Sequence, residues 1–151
     1  MTRGRILIFC ALLSALPGAA RAAGGAATAT QAAPAAALIP LPSGQVVTLF
    51  QVIWPRADER RGERRLRYRF VAPRIARDAA RRVDARAVED DMLHLCTHVA
   101  LPALRQDGRQ IDEIVITLMA RPVPFGSTDP QVRQFIDTFL PEGDQCQWEG
   151  L

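Results

Sequence analysis

The chain of 151 residues contains neither lysine nor asparagine. Without lysine it cannot form a Schiff-base or pyridoxal-phosphate linkage through this side chain, and it cannot build a P-loop. Serine is scarce: beyond residue 22 only Ser43 and Ser127 remain. No G-x-S-x-G elbow, C-x-x-C pair, H-E-x-x-H helix or Gly-rich phosphate loop is present. Histidine occurs twice, as His94 and His98. Long apolar runs are missing too. The longest, Ile6 to Leu16, has 11 residues, about half of the roughly 20 that a membrane-spanning helix needs.

That short run has a purpose of its own. Arg3 and Arg5 precede it, Pro17-Gly18 break it, and Ala20-Arg21-Ala22 supplies an A-x-A cleavage signal. The order predicts a signal peptide over 1–22 and a periplasmic or secreted protein without a transmembrane anchor. Cys10 lacks the small preceding residue of a lipobox, so no lipid anchor is expected. Cleavage removes Arg3, Arg5 and Arg21, leaving 16 Arg against 16 acids. The basic pI is then a targeting property and gives no support to nucleic-acid binding. The charges are nevertheless segregated. Residues 56–86 carry 12 Arg and 5 acids, and residues 87–151 carry 4 Arg and 11 acids. Mutual neutralisation on folding is one reading, and a basic face for an anionic partner is the other.

Residues 23–42 are an Ala/Gly/Thr/Pro tract without apolar periodicity, read as a flexible tether. Residues 43–151 then form one domain. Val46 to Trp54 and Leu66 to Ala72 read as strands, the second with Leu66, Tyr68 and Phe70 on one face and Arg67, Arg69 and Val71 on the other. Asp84 is a helix N-cap before the stripe Val88, Met92, Leu95, Cys96, Val99 and Ala103. Pro102 should kink or end that helix, and Gly108 closes it. Ile111 to Arg121 reads as a central strand. Ser127-Thr128-Asp129-Pro130 followed by Val132, Phe135, Ile136, Phe139 and Leu140 reads as a second helix. The order β-β-α-β-α-(β) gives an α+β fold: a small, mostly antiparallel sheet with two helices packed on one face.

Three constellations follow. The outward pair Arg67 and Arg69 is a candidate binding face for an anionic ligand. His94 and His98, at i, i+4 with Asp91 beside them, form a candidate ligand set for Zn or Cu. A solvated helix face explains the same residues without a metal. Cys96 and Cys146 are the two cysteines left after cleavage, and an oxidising compartment predicts their disulfide.

The landmarks Leu41-Pro42-Ser43-Gly44-Gln45, Tyr68-Arg69-Phe70-Val71-Ala72-Pro73, Asp91-Met92-Leu93-His94-Leu95-Cys96, Ala100-Leu101-Pro102, Arg121-Pro122-Val123 with Phe125-Gly126, and Cys146-Gln147-Trp148-Glu149-Gly150 stand in this order. The set resembles an uncharacterised family of small exported alphaproteobacterial proteins, the domain of unknown function DUF6497. The resemblance covers roughly residues 41–151. It implies an exported domain and brings no activity, cofactor or site residue with it. The leading functional reading is a non-enzymatic module that binds or supports an envelope protein or an anionic ligand, with no catalytic residues. A metal-binding protein using His94 and His98 is the second, and a small hydrolase-like enzyme the third.

Overall fold

The structure, a computed structural model, describes residues 37–58 and 60–149. The signal peptide 1–22 and most of the tether lie outside the described residues. Six strands form one sheet in chain order: β1 (Leu38–Pro40), β2 (Val46–Ile53), β3 (Arg65–Val71), β4 (Glu113–Met119), β5 (Gln134–Glu142) and β6 (Gln145–Trp148). Neighbours pair antiparallel except β3 and β4, which run parallel. A parallel pair needs a long crossover. Here it is a 3₁₀ turn (Pro73–Ile75) and one helical stretch made of α1 (Ala85–Leu95), a π turn (Cys96–Ala100) and α2 (Leu101–Asp107).

Alternation decides the faces of the sheet. Leu66, Tyr68 and Phe70 of β3 stand in register with Ile114, Ile116 and Leu118 of β4, and all six are buried in the main core. Val88, Met92 and Leu95 of α1 cover them; each such side chain contributes about 2 kcal/mol on burial. Asp84 caps the helix, accepting from the Ala87 amide at 2.9 Å. Gly108, left-handed at φ 79°, ends it. The π turn lets Pro102 stay in the helix, since one wider turn moves the missing donor out of the ladder. It also rotates the buried stripe. Ala100, Leu101 and Leu104 are buried beyond it, whereas Val99 and Ala103, expected on the stripe, are only partly so.

The fold differs from the sequence expectation in three ways. The sheet is mixed and six-stranded. β1 lies inside the stretch read as a tether. The expected second helix is strand β5, paired with β4 through Ile114↔Phe139 and Leu118↔Phe135. Its start signal has another use: Asp129 accepts from the Gln131 amide at 2.9 Å and closes a local turn. The apolar spacing that fits a helix fits a strand as well. Phe135, Asp137 and Phe139 face the helix, while Ile136, Thr138 and Leu140 face the other side. Aromatic and β-branched residues suit that role, and the open side of β4 required a ladder partner.

Segment 120–133 folds back over the face away from the helix. Met119, Val123 and Val132 form a second, small cluster there.

Candidate binding site

Segment 120–133 forms one side of a surface groove. Pro122, Val123, Pro124 and Phe125 form one wall of a shallow groove of about 450 Å³, and Phe50 and Gln51 of β2 form the other. Phe50 sits where the β2–β3 register shifts between Leu49 and Gln51, so a bulge turns its ring out of the ladder. Phe50 is 46% exposed and Phe125 61%.

Arg69 lies beneath the groove. The sequence placed it outward and exposed, but only 3% of it is. It donates to Gln51 Oε1 at 2.7 Å, to the Val123 carbonyl at 2.8 Å, to the Met119 sulfur at 3.0 Å and to the Pro124 carbonyl at 3.4 Å. Its guanidinium is 5.6 Å from the Phe50 ring centre and 5.7 Å from that of Phe125, the range of cation–π contact. Burial pushes its pKa down. Arg67 remains half-exposed, donates to the Arg65 carbonyl at 3.1 Å and approaches Phe125 at 5.9 Å. Arg69 thus packs beneath Phe50 and Phe125 and Arg67 lies beside Phe125, while the groove itself is lined by Phe50, Gln51 and residues 122–125. The sequence assigns no binding role to Phe50 or to the Phe125-Gly126 landmark. The only hint was a phenylalanine placed among prolines and a glycine, Pro122-Val-Pro-Phe-Gly126.

The histidine cluster is divided. Asp91, expected on the solvent face, is fully buried. Its carboxylate accepts from the Ser43 amide at 3.0 Å, the Ser43 hydroxyl at 2.6 Å and Gln45 Nε2 at 2.6 Å. It therefore anchors the β1–β2 turn to the helix, and the Leu41–Gln45 and Asp91–Cys96 landmarks are two halves of one contact. His94 and His98 do meet, with ring centres 4.4 Å apart. His94 is half-buried and His98 exposed. Burial pushes His94 below its usual value, His98 adds to this, and Asp91 opposes it. Among the described residues no three His, Cys, Asp or Glu side chains are placed to hold a metal ion.

Cys96 and Cys146 form a disulfide, with α-carbons 6.0 Å apart. It ties the π turn to β6, and the Cys146 amide donates to Thr97 Oγ1 at 3.3 Å. Beside it lies a feature the sequence did not reveal: a cleft of about 220 Å³ lined by Glu89, Asp90, Leu93, Asp137, Phe139 and Trp148. Burial pushes the Asp137 carboxyl up, the Trp148 side chain acts against this, and Glu89 adds to it. Residues 48 positions apart along the chain create such neighbourhoods, which spacing alone does not show. No helix among the described residues is long and apolar enough to cross a membrane.

These features define a small α+β protein: a mixed six-stranded sheet crossed once by a helix, with an aromatic groove on its other face. The chain belongs to the family of unknown function DUF6497, whose family model matches residues 18–151. No curated protein and no solved structure matches it.

Proposed function

We propose that this is an exported, non-catalytic binding module of the periplasm or cell exterior, holding an anionic envelope partner in the groove between Phe50 and Phe125. The observation that carries this reading is the pair Arg67 and Arg69, without a carboxylate partner among the described residues, with Arg69 under the exposed Phe50 and Phe125 rings and Arg67 beside Phe125. Exposed apolar surface beside uncompensated charge marks recognition surfaces. The N-terminal sequence pattern and the disulfide suit an oxidising compartment. The test is a photo-crosslinking residue at position 125 of the native protein, with position 86 as control. One envelope protein captured from 125 and not from 86, in a yield that falls at high salt, is expected. Equal capture from both positions would remove the groove from consideration.

The 4.4 Å approach of His94 and His98 favours a second reading, a two-imidazole site for Zn²⁺ or Cu²⁺. Calorimetry should then show binding near neutral pH that disappears in His98→Ala and on imidazole protonation. Equal heats for the two proteins would leave a solvated pair.

A further inference from the structure

We infer that the occupant of the groove is an acidic–apolar peptide segment of a partner protein, placing a carboxylate at Arg67 and an apolar side chain between Phe50 and Phe125. This rests on the groove reading above and goes further by naming the ligand chemistry. The register of β3 on β4 supplies the argument. Arg65, Arg67 and Arg69 stand opposite Glu113, Val115 and Thr117. On the first rung Arg65 is neutralised by Glu113. On the next two the protein provides an apolar and a hydroxyl residue. On the other side β2 offers Ile53 and Gln51, which are neutral as well. The row thus changes from paired to unpaired cations at the point where it reaches the aromatic walls.

Arg69 strengthens this field. Its acceptors are all neutral, so its full charge persists in a surrounding of low polarizability, where it acts on the groove more strongly than a solvated arginine. Arg67 holds its place with one hydrogen bond to a carbonyl, leaving donors for a carboxylate fork. The walls select the remainder of the ligand. Free phosphate would leave both rings and Pro122 and Pro124 without contact. An uncharged apolar segment would leave the cations unpaired. A nucleic acid would stack on the rings, but it needs a track of cations along its backbone, and Arg65 is already occupied.

The probe is a blocked, dye-labelled peptide of alternating Phe and Glu, compared with the same peptide carrying Gln for Glu, using the oxidised chain. The Glu peptide should bind better than the Gln peptide. Arg67→Gln should weaken it about tenfold, the size of one charge-assisted contact, and Phe125→Ala about as much through lost apolar contact, with melting temperature unchanged. Arg69 is left intact because its replacement disturbs the fold. Equal binding of the two peptides, no binding, or no effect of Arg67→Gln overturns the proposal. So does stronger competition from a thymidine oligonucleotide than from the Glu peptide. Position-125 crosslinking separates the two claims: if it succeeds while the peptides do not discriminate, the groove stands and the acidic–apolar assignment falls.

Discussion

Arg69 directs its donors inward, to Gln51, the Met119 sulfur and the Val123 and Pro124 carbonyls, while Arg67 keeps most of its own at the surface. Both are outward positions on β3, and strand parity treats them alike. What distinguishes them is a segment more than 50 residues further along that folds over one and stops at the other. Sequence alternation carries no information about that cover. Removing Arg69 leaves buried carbonyls without donors, so Arg69→Gln should cost about 2–3 kcal/mol and expose segment 120–133 to proteases. Arg67→Gln should change stability by less than about 0.5 kcal/mol. Urea titration of both variants checks this, and equal losses would contradict the assigned roles. His94 offers a second test. Its folded pKa lies below its usual 6.5, so the unfolded chain binds more protons in that window and stability rises with pH there. Acidification from about pH 6.5 should therefore weaken the fold. Removing the neighbouring charge by His98→Ala should move the His94 titration upward, as NMR would show. A downward movement would contradict the arrangement of the pair.

At the scale of elements, the strands from Val46 and Leu66, the helix after Asp84 and its end at Gly108 were legible, because each has a local signal: alternation, a cap, a left-handed glycine. β5 was not. Val132, Phe135, Ile136, Phe139 and Leu140 satisfy helical spacing, and Ser127 to Pro130 imitate a helix start, but β4 needed a partner and tertiary pairing prevailed. A peptide of residues 128–141 should accordingly become helical in trifluoroethanol although the same residues are a strand in the protein. Circular dichroism would decide, and a peptide that stays unstructured would show that the pattern never carried helical preference. The π turn was hidden for a related reason. Pro102 announced an interruption, but whether a helix breaks or widens there depends on the core it must reach.

For the molecule as a whole, the segregated charges meet mainly where β3 lies beside β4. Arg64 binds Asp112 at 2.9 Å, and Arg65 binds Glu113. Among the described residues these are the two ion pairs that join the basic and acidic halves, and on β3 they leave Arg67 and Arg69 without a carboxylate partner. The hydrogen bond from Arg64 holds the Asp112 carboxyl well below the usual carboxylate range. Its stabilising effect is present above about pH 3.9 and is lost on further acidification, a separate step below that of His94. The disulfide closes a loop of 50 residues, which by chain entropy contributes about 4 kcal/mol. Cys146→Ser should lower stability by up to that amount and loosen β6, read as faster amide exchange in Gln145–Trp148. Unchanged exchange would mean that strand pairing alone holds the edge.

The same bond imposes an order of events. Between Cys96 and Cys146 lie α2, β4 and β5, with the second half of the crossover that the parallel pair requires. Cys96 is made 50 residues before Cys146, so its native partner is absent until β6 has been delivered. Closure of the bond is therefore a completion mark: it can form only once β6 has been made and laid against the helix.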